Sequence, residues 1–502
     1  MRGTANLAAP KHSLFFGAPL RNVPKLVALL TVAATALTGA AGLANAATPS
    51  AATLITLPAI TLPTSGTYKA VAPARVLDTR DGTGAPKAPV GPGAFISLSM
   101  LGVGGVPATG VSAVVLNLTV TAPTNVGYLT VWPAGTTRPS VSNINFVAGT
   151  NRANLVTVAL GTVGANVGKV SIFNVQGSVQ VIADVLGYYE EGVAAPVGGL
   201  YQQVQPDRLL DTRDPAFGGP LLSGEAVSVP VSYNDPATPA VDVNTHIRAL
   251  AVNITAVSPT KPGYLIAWDG NPALPLPKTS TLNFTPGSIT PNMAIVPVGP
   301  CVGCSPDATG LPSVTVLNGS LGTVNLLVDI VGFYDDGQLT DQNGVLIPAL
   351  RFNPVTPTRI IDTRKTPALG ATRFTGKATK AITAPASVAG PDTFALVTNT
   401  TAVLPTLPTY LTLWAGPDPQ PPVSNLNAAT GQIVANATIT DVGPGNVFNV
   451  YNDRGTTNFL VDVVGTMELF PPLAAAAAPN TSVKAPTAAR TLMRNAAPKP
   501  VR

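Results

Sequence analysis

The sequence predicts an all-β protein: three tandem antiparallel β-sandwich domains, Ig-like or jelly-roll-like, behind a signal peptide and ahead of a disordered C-terminal tail. Three observations carry this expectation. The 502 residues include 47 Gly and 51 Pro but only 11% charged residues, with abundant Thr and Val, a composition of short strands and many turns. A set of landmarks recurs three times in the same order. Within each copy the apolar runs are short, β-branched and bounded by Pro, Gly or Asn, and nothing longer follows a 3.6-residue period.

Residues 1–46 read as a secretory signal. Arg21 and Lys25 precede the small apolar run "LVALLTVAATALTGAAGLANA", which ends in Ala44-Asn45-Ala46 and fits cleavage after Ala46. The alternative is an uncleaved anchor, since about 20 apolar residues can span a bilayer. No Cys follows the cleavage triplet for lipid attachment and no second hydrophobic span occurs later, so no transmembrane span is expected after cleavage. Residues 47–66 read as a linker.

The repeats are read as 67–190, 199–336 and 350–470. Each opens with "PARVLDTR" (from Pro73), "PDRLLDTR" (from Pro206) or "PTRIIDTR" (from Pro357). There follow "AVVLNLTV", "LAVNITAV" and "ALVTNTTAV"; then "GYLTVW", "GYLIAW" and "TYLTLW"; then "SNINF", "STLNF" and "SNLNA". Each closes on "VIADVLGYY", "LLVDIVGFY" or "LVDVVGTM". The first motif arginines, Arg75, Arg208 and Arg359, lie 133 and 151 residues apart, a domain-sized period rather than the roughly 20–50 residues of a solenoid. Each copy is therefore expected to fold as its own sandwich, joined by short linkers.

This combination of motifs resembles the repeat domains of secreted and cell-surface actinobacterial proteins, over about residues 68–190, 200–335 and 351–467. The resemblance implies an extracellular or wall-associated address and a non-catalytic domain type, and carries no biochemical activity. Repeat 3 departs from it at Lys365, Thr409, Thr466 and Met467.

The closing aspartates, Asp184, Asp329 and Asp462, have apolar neighbours on both faces of their strands. A carboxylate there needs a cation or several donors, because an unpaired buried charge costs several kcal/mol. Each repeat supplies two arginines at its start, so the motif is read as a structural clasp joining first strand to last. Arg75 or Arg80 would meet Asp184, Arg208 or Arg213 would meet Asp329, and Arg359 or Arg364 would meet Asp462, with Asp78, Asp211 and Asp362 as motif partners. Paired carboxylates could instead make a glycosidase. Three near-identical active sites in a row are unusual, however, and flanking arginines should lower both carboxylate pKa values, contrary to what a general acid needs.

Other chemistries find little support. The only histidines are His12, in the signal, and His246, which has no counterpart in the other repeats, so triad catalysis and histidine metal sites lack their parts. No cofactor motif or metal signature occurs. Cys301 and Cys304, present in repeat 2 alone, are expected to form a local disulfide. Seven N-x-[ST] sequons, at Asn117, Asn253, Asn283, Asn318, Asn399, Asn436 and Asn480, are what Thr-rich strands generate by chance. Of the 29 Lys and Arg, four lie in 1–46 and five in 471–502, so residues 47–470 carry 20 against all 24 acids, a net of −4 that argues against nucleic-acid binding. The tail 471–502 is basic, Pro/Ala-rich and aperiodic, and is expected to be disordered.

The three tryptophans, Trp132, Trp268 and Trp414, occupy one position per repeat, each four residues after a tyrosine: Tyr128, Tyr264 and Tyr410. Such pairs share a strand face and read either as core or domain contacts or as a glycan-stacking platform. The sequence therefore points to a secreted, non-enzymatic structural or adhesive protein with cell-wall or extracellular polysaccharide as candidate partner. The alternatives are a secreted carbohydrate-active enzyme using the Asp-Thr-Arg carboxylates and a self-assembling surface-layer or matrix component.

Overall fold

The computed structural model describes residues 66–191, 198–234, 241–302, 304–344, 346–365 and 373–470. The expected signal, the linker up to residue 65 and the tail lie outside the described residues. In repeat 1 the strands are β1 (Tyr68–Asp78), β2 (Phe95–Ser99), β3 (Val111–Thr121), β4 (Gly127–Pro133), β5 (Ile144–Phe146), β6 (Arg152–Ala159), β7 (Lys169–Asn174) and β8 (Gln180–Glu190). They form two four-stranded antiparallel sheets, ordered β1-β8-β3-β6 and β2-β7-β4-β5. Repeats 2 and 3 follow the same order with eight principal strands each, from Tyr201–Asp211 to Asn325–Asp335 and from Ala349–Asp362 to Thr456–Phe470. Sequence neighbours mostly fall in opposite sheets while the first strand pairs with the last, which makes each repeat a jelly roll rather than an Ig-like sandwich.

The prolines that open the motif have a local reason. Pairing of the first strand with the last skips between Ala70 and Ala74 in repeat 1, between Gln203 and Asp207 in repeat 2, and between Pro354 and Thr358 in repeat 3. Pro73, Pro206 and Pro357 sit inside these bulges, where a residue without an N–H breaks no ladder.

Each sandwich has its own core. In repeat 1, Val114, Leu116, Leu118 and Val120 of β3 face Leu129, Val131 and Ile172 of the other sheet. The alternate residues of β3 do not face water. Ala113 and Val115 join Ala249 and Ala251 of repeat 2 and Ala395 and Val397 of repeat 3 in a fourth core that all three repeats build. The three β1-type sheets are thus buried on both faces, which accounts for "AVVLNLTV" being apolar without alternation. The three repeats are thus not joined by linkers alone: beside its own sandwich core, each contributes to a shared centre within one compact unit.

Aromatic rings fill one end of that centre. Tyr68, Tyr201 and Phe352 lie across Gly187, Gly332 and Gly465, the glycine of the closing motif in each repeat. A Cβ at Gly332 would stand 2.2 Å from the Tyr201 hydroxyl oxygen, and that hydroxyl is fixed by donation to Val331 O at 2.8 Å. Gly332→Ala is expected to lower stability by about 1–3 kcal/mol through overpacking. Gly91→Ala, which meets nothing within 4 Å, should leave the thermal midpoint nearly unchanged; equal midpoints for the two variants would show that the aromatic contact is soft.

Candidate functional site

The Asp-Thr-Arg motif ends β1, and each of its charged side chains is paired. Arg75 Nε donates to Asp184 Oδ1 at 2.9 Å and Nη1 donates to Asp78 Oδ2 at 3.1 Å. Arg80 donates to the same Asp78 through Nε at 2.9 Å, Nη2 at 2.6 Å and its backbone N–H at 3.0 Å. Thr79 Oγ1 accepts from Val181 N at 2.9 Å. The result is a chain Arg80–Asp78–Arg75–Asp184. Repeat 2 repeats it, with Arg208 on Asp329 at 2.8 Å and on Asp211 at 3.2 Å, and Arg213 on Asp211 at 2.6 Å. Repeat 3 does so with Arg359 on Asp462 at 2.6 Å and on Asp362 at 3.9 Å, and Arg364 on Asp362 at 2.8 Å. The sequence left open which arginine reaches the closing aspartate; in each repeat it is the first, while the second stays on the motif's own carboxylate.

The two carboxylates of each chain differ electrostatically. Hydrogen bonds from Arg80, Arg213 and Arg364 hold Asp78, Asp211 and Asp362 below the usual carboxylate range. Burial pushes Asp184, Asp329 and Asp462 up, and the guanidinium facing each only partly offsets it. The expectation that flanking arginines lower both is thus corrected for the closing aspartates, where desolvation outweighs the cation.

A second polar system joins the repeats. Asn154, on β6, donates from Nδ2 to Asn399 Oδ1 of repeat 3 at 2.8 Å and accepts from Ala437 N at 3.0 Å. Asn436 of repeat 3 donates to Asn253 Oδ1 of repeat 2 at 2.9 Å and accepts from Met293 N at 3.1 Å. Asn292 of repeat 2 donates to Asn117 Oδ1 of repeat 1 at 2.9 Å and accepts from Leu155 N at 3.1 Å, which closes the ring. The receiving asparagines donate onward, Asn117 to Ser280 O at 2.6 Å, Asn253 to Ser424 O at 2.8 Å and Asn399 to Ser142 O. All six side chains are buried. Four of them belong to the sequons noted in the sequence, which are therefore inaccessible in the folded chain.

The Tyr and Trp residues form no flat exposed pair. Trp132 and Trp414 are buried, and their Nε1 groups donate to Thr136 O at 3.1 Å and Asp418 O at 2.8 Å, in loops folded over the outer sheet. Trp268 is partly buried, Tyr264 is exposed, and Tyr128 and Tyr410 lie between these extremes. Leu129 and Val131 fill the sandwich core. Cys301 and Cys304 are joined in a disulfide. His246 Nδ1 lies 2.9 Å from Asp336 Oδ1, beside Arg248. Among the described residues no group of His, Cys, Asp or Glu is placed to hold a metal ion.

One large cleft, of about 790 Å³, opens where the three turns after β5 and its counterparts meet. Equivalent residues of all three repeats line it, including Asn145, Asn283 and Asn427. Of the site residues expected from sequence, Arg208, Arg213 and Tyr410 reach it.

No family model matches the chain, and no curated protein is similar to it. Two solved structures are similar over most of their length. One, described for the triple jelly roll fold and turret assembly in an archaeal virus, is 10% identical, with 80% of this chain and 90% of that one covered and a TM-score of 0.14. The other, from Sulfolobus turreted icosahedral virus, is 10% identical, with 80% and 91% covered and a TM-score of 0.16. With superpositions this loose, the jelly-roll assignment rests on the strand order of the chain itself.

Two outcomes follow from the ion-pair chains. Asp329→Asn leaves Arg208 facing a neutral group and is expected to cost about 3–5 kcal/mol in chemical denaturation. Replacing both residues together, Arg208→Met with Asp329→Leu, should recover most of that loss; a single variant as stable as the parent would show that the pair holds nothing. The second outcome concerns pH. A carboxyl depressed in the folded state adds stability that is full above its unfolded pKa and is lost as pH falls through the folded value. The difference in thermal midpoint between the parent and Asp211→Asn should therefore narrow as pH falls from about 6 to about 2.5. A constant difference would mean that Asp211 is not held down.

Proposed function

We propose that this chain is an exported, non-enzymatic structural or adhesive protein of the cell exterior, which presents one three-lobed β unit to wall or environmental polysaccharide. The observation that carries the reading is the use made of the repeated polar residues. Asp78 and Asp184 are both almost fully buried and both are bound to Arg75, with Arg80 adding a second cation on Asp78. Asp78 is held in its anionic form, so it is a poor proton donor, and the Asp184 carboxylate is turned onto Arg75 rather than left to attack a sugar. The same pairing recurs in repeats 2 and 3, where Asp211 alone of the four aspartates is half-buried rather than buried. The motif resemblance and the signal-like residues 1–46 support the address.

Cell fractionation of a high-GC Gram-positive host expressing the full chain tests the address, and co-sedimentation with cell walls and insoluble polysaccharides tests the partner. The expected result is a product beginning at Ala47, found outside the cytoplasm and retained on polysaccharide at both low and high salt. Retention lost in salt would assign the binding to charge alone. An uncleaved cytoplasmic chain would overturn the address, and polysaccharide turnover abolished by Asp78→Asn would overturn the non-enzymatic reading in favour of hydrolysis.

A further inference from the structure

The cleft between the repeats combines two features that the architecture does not require. Arg152, at the start of β6, lines it. The other cations on its wall are engaged: Arg208 and Arg213 with Asp329 and Asp211, and Arg454 with Asp453. Among the described residues Asp453 is the only carboxylate of the lining, and it is already held by Lys377 and Arg454. Among the described residues Arg152 has no carboxylate partner and no hydrogen-bond acceptor. It is set deep enough that burial lowers its pKa from the ordinary arginine value. Arg152 is half-buried, and a guanidinium partly withdrawn from water and without an acid beside it gains by meeting an anion. Thr290 and Val434 occupy the corresponding position in repeats 2 and 3, so the fold forms there without a cation.

The second feature is a polar lining drawn from all three repeats. Around Arg152 stand the amides of Asn145, Asn283 and Asn427 and the side chains of Thr150, Ser288 and Gln432, one from each repeat in either set. Tyr410 adds a ring at the edge.

We propose that this cleft is a binding site for an acidic saccharide, whose carboxylate pairs with Arg152 while its hydroxyls meet the ring of amides and the side chains of Thr150, Ser288 and Gln432. The planar guanidinium fork matches a carboxylate through two parallel hydrogen bonds. Amides and hydroxyls from three directions suit a polyol, which offers donors and acceptors all around its ring. A volume of about 790 Å³ falls within the roughly 300–1,000 Å³ of small-molecule sites. With a cation in only one of three equivalent positions, the cleft takes one ligand in one orientation rather than three copies. This inference rests on the reading of the chain as a polysaccharide-holding protein and names the class of sugar.

The test is titration calorimetry of the purified full-length chain with trigalacturonate, with glucose 6-phosphate and with neutral cellotriose. Trigalacturonate should bind, cellotriose should bind at least about tenfold more weakly, and Arg152→Thr should remove about tenfold or more of the trigalacturonate affinity. Without ligand, Arg152→Thr should keep or raise the thermal midpoint, because it removes a half-buried cation that lacks a partner. A lowered midpoint would make Arg152 a structural residue and end the proposal. So would equal binding of the neutral and acidic trisaccharides, or no binding of either. Binding of glucose 6-phosphate alone would assign the site to phosphate and overturn the carboxylate assignment. Wall retention that survives Arg152→Thr, with trigalacturonate binding lost, would place the wall contact elsewhere. Trigalacturonate binding without wall retention would leave the site standing and remove the proposed partner.

Discussion

A primary amide buried between sheets must fill its donors and its acceptor, and each of the six ring asparagines does so across a boundary between repeats. That requirement fixes the assembly more narrowly than apolar packing does. Leucines tolerate sliding, but Asn292 must find both Asn117 Oδ1 and Leu155 N, and these sit on neighbouring strands of one sheet. Repeating the contact three times in one direction returns the chain to its starting point. The shared apolar core then has one register in which it can pack.

The Arg–Asp chains hold the same sheets from the other side of the problem. Each ties the first strand to the last, so the sheet whose far face carries the asparagines cannot open at its seam. In repeat 3 the clasp and the ring touch directly, since Ser142 of repeat 1 donates its backbone N–H to Asp462 Oδ2 at 3.4 Å. Breaking a clasp would therefore disturb a neighbouring repeat as well as its own. The two systems form one polar frame, with apolar side chains filling the space between.

Much of this frame was legible in the sequence, because buried charge is rare and expensive. Asp184, with apolar residues on both sides, demanded a cation, and the arginines recurring at the opposite end of each repeat could supply one. The sandwich class followed from short β-branched runs. The shared core was not legible: a strand covered on both faces loses its alternation, and "AVVLNLTV" reads the same whether its second face meets a neighbour or another layer. Asn154 and Asn292 carry no mark of their own in a chain rich in asparagine, and Asn117 looked like a chance sequon. Arg152 was invisible for a different reason, since its importance lies in the carboxylate that is missing around it in space. The tryptophans could be read either way in the sequence, because a ring that covers a sheet from outside, under its own loop, leaves the same pattern as one that stacks on a ligand.

The closed ring also constrains the order in which the molecule can be made. Asn154 waits for Asn399, 245 residues further along. Until repeat 3 has emerged, repeat 1 must hold an unsatisfied amide and an uncovered apolar sheet face. Contacts of such long sequence separation form slowly. A chain stopped after two repeats would expose the kind of sheet surface that drives aggregation. Synthesis and folding of this protein are thereby tied together: the half-finished molecule needs shelter, and only the complete one can do without it.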